Sequence, residues 1–112
     1  MQRFLVFVLF LSSSLLKAQN FTSGARSSSL SGASSTFSDV WSCQNNQAGL
    51  AFLTSAEAGV YYENRFLLKE LSGASFVFAA PVSKKASFGF CYNTFGYSVF
   101  RQSKAGLAYA MK

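Results

Sequence analysis

Past residue 57 the chain alternates between bulky apolar side chains and small or polar ones. Val60, Tyr62, Phe66 and Leu68 fall on one side of the alternation, with Asn64 the polar exception, and Tyr61, Glu63 and Arg65 on the other. Leu71-Ser72-Gly73 interrupts it, after which Phe76, Phe78, Ala80 and Val82 alternate with Ser75, Val77 and Ala79. A second break, Pro81-Val82-Ser83-Lys84-Lys85, leads into the cleanest run, in which Phe88, Phe90 and Tyr92 alternate with Ser87, Gly89, Cys91 and Asn93. Leu107, Tyr109 and Met111 then alternate with Gly106, Ala108 and Ala110. Side chains of a strand point to opposite faces at a period of two. Four such segments of about ten residues, separated by turn residues, predict antiparallel β-hairpins. Residues 63–71 also have helical propensity, but the Tyr61-Tyr62 entry and the Gly73 exit favour strand and turn there.

The chain before residue 57 is of a different kind. Met1-Gln2-Arg3 is a short basic start, Phe4 to Leu11 is unbroken apolar sequence, and Lys17-Ala18-Gln19 follows a serine triplet. This is the pattern of a secretory signal peptide over residues 1–18, too short in its apolar run for a spanning helix of roughly 20 residues. Residues 19–38 are rich in Ser, Gly and Ala and read as coil. Ser38-Asp39-Val40-Trp41-Ser42 reads as a helical turn capped by Ser38 or Asp39, and Asn45 to Ala51 as a turn closing on a small apolar patch. The expected organisation is therefore a signal peptide (1–18), a Ser/Gly-rich segment with a short helical turn (19–56) and a β region (57–112).

Composition decides which face of the strands meets what. The 112 residues include thirteen Phe and five Tyr, yet only 12% are charged. A water-facing strand face should carry Lys, Glu, Thr and Asp. The face opposite the aromatics instead carries Ser, Gly, Ala, Cys and Asn. A transmembrane barrel accounts for this better: its aromatic face meets lipid and its small and polar residues line the interior. Such a sheet must close, because an open edge in lipid leaves backbone groups unpaired. Four strands cannot close alone, so either several copies of the chain build one barrel or, as is expected here, the chain is the amino-terminal fragment of a longer barrel whose remaining strands supply the rest.

Several motifs, in order, resemble a known family. Gly24-Ala25-Arg26, Gly32-Ala33, Ser38-Asp39-Val40-Trp41-Ser42 and Asn45-Asn46-Gln47-Ala48-Gly49-Leu50-Ala51 are similar to the opening of outer-membrane β-barrels of the long-chain fatty-acid transporter type, in the PorV/PorQ-like branch. Val60 to Phe66 and Gly106 to Ala110 resemble that branch's early strands. Gln47 stands where many relatives have Pro, and Cys43 is foreign to the pattern. The resemblance implies that the amino-terminal segment folds into the barrel as a plug, with Gly24, Arg26, Gly32, Asp39, Trp41, Asn46 and Gly49 forming the plug and turn motif. It also implies an exported protein of the outer membrane, for passage of hydrophobic compounds or support of protein secretion. The alternative is a secreted β-rich binding or self-assembling surface module, periplasmic or extracellular, since aromatic strands with open edges associate readily.

Candidate chemistry is sparse. Glu63 and Arg65, two apart, would share a strand face as a polar pair in a lumen or as an ion pair at a strand end. Without residues 1–18 the chain keeps eight basic and four acidic residues. That excess is too small and too scattered for nucleic acid. The absence of His excludes a His-based triad, the absence of CxxC and clustered carboxylates argues against zinc, and no phosphate-binding glycine loop occurs. Nothing in the sequence points to an enzyme or a cofactor. Cys43 and Cys91, 48 residues apart, read as two separate small hydrophobes, or as one disulfide in an exported chain.

Overall fold

In a computed structural model that describes residues 22–112, the β region forms one four-stranded antiparallel sheet. The signal-peptide reading of residues 1–18 lies outside the described residues. The strands are β1 (Glu57–Asn64), β2 (Ser72–Ser83), β3 (Ala86–Gly96) and β4 (Arg101–Met111), each paired with its neighbour in sequence, in the order β1-β2-β3-β4. The fold is mostly β, as the alternation predicts. β1 and β4 are the two edges.

Register turns the alternation into two ladders. Across one face run Ala58, Phe78, Phe90 and Leu107, then Val60, Phe76, Tyr92 and Ala105. Across the other run Gly59, Val77, Cys91 and Gly106, then Tyr61, Ser75, Asn93 and Lys104. Size and burial are inverted between them. Val77 is fully buried and Cys91 6% exposed, whereas Tyr62 is 68%, Leu107 69% and Tyr109 64% exposed. The small-residue face is inner because residues 22–53 lie on it. Val40, Cys43, Leu50 and Leu53 of that segment form a single buried cluster with Val77, Ala79, Cys91, Ala108 and Ala110 of the sheet.

Three local readings need correction. The first strand does not continue through Phe66 and Leu68, as period two suggests, but stops at Asn64. Arg65 to Leu68 is a tight turn in which the Leu68 N–H donates to the Arg65 carbonyl at 3.1 Å. Its central residues, Phe66 and Leu67, both lie in the left-handed region at φ 58° and 57°. A turn with two positive φ values matches the twist of a hairpin and normally holds Asn-Gly. Here two bulky exposed side chains occupy it, at a cost of about 1–2 kcal/mol each. Lys69–Leu71 then forms a 3-10 turn before β2.

The second correction concerns Pro81, which does not end its strand: β2 runs to Ser83, with a register shift between Pro81 and Ser83. Lys84-Lys85 is then a two-residue turn joining Ser83 to Ala86. Third, the coil expected before residue 38 contains a short helix, Ala25–Ser29, and the helical turn lies one step later, at Ser42–Asn45. A 3-10 helix, Gln47–Phe52, carries Leu50 into the cluster.

Candidate functional site beneath the amino-terminal segment

Glycines on the sheet let the segment come close. A side chain at Gly89 would begin 2.8 Å from the Cys43 sulfur and 3.0 Å from Leu50 Cδ1, and one at Gly59 would begin 2.9 Å from the Trp41 ring. Each is closer than carbon atoms can stand, so the small-residue ladder is the socket for Trp41, Cys43 and Leu50. Gly24 meets the same indole from the segment's own side, at φ +99°, with its missing side chain 2.9 Å from the ring. Trp41 thus sits between Gly24 and Gly59, with Tyr61 edge-on at 6.1 Å between ring centroids.

Trp41 is aimed by the turn before it. The Asp39 carboxylate accepts the Trp41 N–H at 3.0 Å, and the Ser42 hydroxyl donates to the Phe37 carbonyl at 2.6 Å while accepting the Asp39 N–H at 3.2 Å. Asp39 thus closes the turn ahead of the helix; it is not the helix cap that its sequence context suggests, because the helix starts at Ser42 with Trp41 in the N-cap position and no side-chain cap bond. Gly49 closes the turn from behind, packed against the Phe37 carbonyl and Ser42.

A polar network fixes the rest of the segment. Ser23, fully buried, places its hydroxyl 2.7 Å from that of Ser75 and 3.4 Å from Asn93 Oδ1, and accepts from Gln44 Nε2 at 2.9 Å. Asn45 Nδ2 donates to the Ser27 hydroxyl at 2.9 Å. Buried hydroxyls and amides are stable only when paired, and here Ser75 and Asn93 of the sheet meet Ser23 of the segment. Further along, the Ser28 hydroxyl lies 3.0 Å from the Tyr61 hydroxyl, which donates to Glu63 at 2.7 Å; Glu63 in turn holds Arg65.

The anticipated residues thus divide into two groups. Gly24, Asp39, Trp41 and Gly49 converge on the socket, and Glu63 and Arg65 form an ion pair that reaches the segment through Tyr61 and Ser28. Arg26, Gly32 and Asn46 lie on the segment's outer side: Arg26 over the Phe37 ring, Gly32 beside Thr22 and Asn46 against the Ser35 carbonyl. Sequence reasoning missed Ser23, Ser27, Gly59 and Gly89. Gly89 alone carried a signal, as the smallest member of a strand between Phe88 and Phe90.

Cys43 and Cys91 are not separate. Both are buried and free, and they belong to the same buried cluster, with Cys91 beside Cys43. Burial, with Cys91 beside it, pushes the Cys43 thiol up to about 12.

The uncovered outer face holds a shallow apolar hollow of about 380 Å³ between Val60, Tyr62, Phe76 and Tyr92, floored by Ala74 and Thr94. Among the described residues no group of three or more His, Cys, Asp or Glu stands together as a metal site.

Compared with known protein families, curated proteins and solved structures, the chain matches none. The family resemblance therefore rests on its motifs alone. What the geometry offers chemically is adhesion on two faces: a closed inner contact and an open apolar outer one.

Proposed function

We propose that this chain is part of the wall of an outer-membrane β-barrel, with residues 22–53 as a plug on its interior face. One observation carries the reading: on each strand most of the large apolar side chains are exposed, among them Val60, Tyr62, Phe76, Phe78, Phe88, Tyr92, Leu107 and Tyr109, while the buried strand residues are, Val77 apart, small or polar. In water that arrangement loses the hydrophobic driving force of about 25 cal/mol per Å² on its largest side chains. Lipid restores it.

Dimensions support the same reading. From Ala86 to Thr94 β3 covers eight residue steps, about 27 Å along a strand at ~3.4 Å per residue. A tilt of ~40° brings this to about 20 Å in height, near the ~25 Å apolar band of such barrels. Charge lies beyond it, at Lys84 and Lys85 on one end and Arg65, Lys69 and Arg101 on the other. The open edges of β1 and β4 are then met by further strands or by other copies of the chain, since lipid cannot satisfy their backbone groups. Within the complete barrel the role is passage of hydrophobic compounds or support of protein secretion, as the resembled family implies, and it is non-enzymatic, with no cofactor. Export to the outer membrane belongs to the same reading.

The test is fractionation of cells expressing the full chain. Recovery in a carbonate-washed membrane pellet, released only by detergent, is the expected result. Recovery from periplasm or medium without detergent overturns it and favours the secreted self-assembling module, for which the two open edges speak.

A further inference from the structure

Cys43 belongs to the amino-terminal segment and Cys91 to the middle of β3. Gly89 and Cys91 are two residues apart on one strand and share the inner face. The Cys43 sulfur fills the space over Gly89, and the Cys91 sulfur fills the space over Gly106 on the adjoining strand, where a side chain would begin 3.0 Å from it. Both residues belong to the same buried cluster, and Cys43 sits over Gly89, the inner-face neighbour of Cys91 on β3. The inner face therefore sets two buried cysteines side by side, one on the element that covers the sheet and one on the sheet itself.

We propose that Cys43 and Cys91 form a disulfide that staples the amino-terminal segment onto the inner face of the sheet. The oxidant is a small or protein disulfide, acting by exchange. The thiolate of one cysteine attacks a sulfur of that disulfide and expels the first thiol. The second cysteine then attacks the mixed disulfide and expels the other. One S–S bond breaks and one forms; the two protons and two electrons of the cysteines end on the two leaving thiols.

Burial sets when this happens. With Cys43 fully enclosed and Cys91 6% exposed, exchange requires the thiolate and access, so the bond closes before the segment finally seats. For the same reason it then resists reduction. A closed bond makes the segment a fixed cover, and an open one leaves it held by Trp41, Leu50 and the serine network alone. The proposal stands on the thiol geometry and not on what the outer face meets.

The experiment refolds the full 112-residue chain into detergent micelles in a buffer of reduced and oxidised glutathione, followed by acid quench, digestion and mass spectrometry. The expected product is a cross-linked pair of peptides containing Cys43 and Cys91, with an intact mass lower by two hydrogens and restored by dithiothreitol. Cys43→Ser and Cys91→Ser each abolish it. The lone tryptophan, Trp41, supplies a second readout: its fluorescence change in urea moves to higher urea in the oxidised chain than in the reduced one. Two free or separately glutathionylated thiols overturn the proposal, as does an identical urea midpoint with and without the bond. A chain that enters lipid vesicles yet lacks the bond removes the staple and leaves the membrane reading intact.

Discussion

The two faces of this sheet are made by the same strands, and they obey opposite rules. On the inner face, glycine, alanine, serine and cysteine are packed closely under a covering segment. On the outer face, phenylalanine, tyrosine and leucine stand uncovered. Neighbouring residues show it: on β3, Gly89 and Cys91 are buried, while Phe88 and Tyr92, each one residue away, are exposed. In a water-soluble sheet the larger side chains go inside because each buries more area. The inner face here is chosen for closeness of approach instead, which small residues permit. The outer face is chosen for area, which matters only if something apolar covers it.

The comparison is tested most strongly by truncating one leucine on each side. Leu50 is fully enclosed beneath the segment, and Leu50→Ala is expected to lower stability by about 2–5 kcal/mol, because the lost contacts leave a cavity. If lipid meets the outer face, Leu107→Ala leaves no cavity there, since mobile chains fill the space, and is expected to cost about 1–2 kcal/mol, the transfer term alone. Urea titration of vesicle-folded protein, followed through Trp41, measures both. Equal costs would mean that the two faces do not differ in packing.

Much of this contrast was legible in the sequence. Period two runs through Ser75 to Val82 and Ser87 to Asn93 because strand geometry imposes it on every residue, so the faces could be drawn before the fold was known. Asp39 beside Trp41 was legible as part of a turn, a contact only two residues long, although the helix begins later than expected, with Trp41 at its N-cap position. Long-range contacts were not. Nothing local distinguishes Ser23 from the other serines of residues 19–38; its role is set by Ser75 and Asn93, more than fifty residues away. Cys43 meets Cys91 for the same kind of reason. Phe66 and Leu67 misled the reading because they continue the alternation while adopting a turn geometry that bulky residues seldom take.

A charge placed at two heights on the outer face sharpens the comparison further. Phe78 stands in the middle of the apolar band, in the row Ala58, Phe78, Phe90 and Leu107, whereas Tyr62 stands two rows nearer the Arg65 end. If lipid meets this face, Phe78→Lys costs about 2–4 kcal/mol and Tyr62→Lys about 0–1 kcal/mol, because the penalty for a cation follows depth. The measurement is again urea titration in vesicles of fixed composition. If both variants are neutral and the protein becomes more soluble without detergent, the outer face meets water and the contrast with the inner face has another cause.

The smallest effect concerns how dry the inner face is. In the reduced protein Cys43 is held protonated up to about 12, against an ordinary value of 9.0, first because burial disfavours the thiolate and then because Cys91 lies beside it. Once unfolded, the same thiol ionises near its ordinary value. Below that value both states carry the proton and stability does not depend on this group. Between the two values the folded chain keeps a proton that the unfolded chain has lost, so stability falls as pH rises, by about 1.4 kcal/mol per pH unit. Tyrosines and lysines also titrate in this range, and the contribution of Cys43 is therefore read as a difference. In dithiothreitol, wild type is expected to lose about 1 kcal/mol more than Cys43→Ser between pH 9 and pH 10, measured by the urea midpoint of Trp41 fluorescence. Parallel slopes would place water beside Cys43, and the inner face would then be a wetted groove under a loose cover, distinguished from the outer face by side-chain size alone.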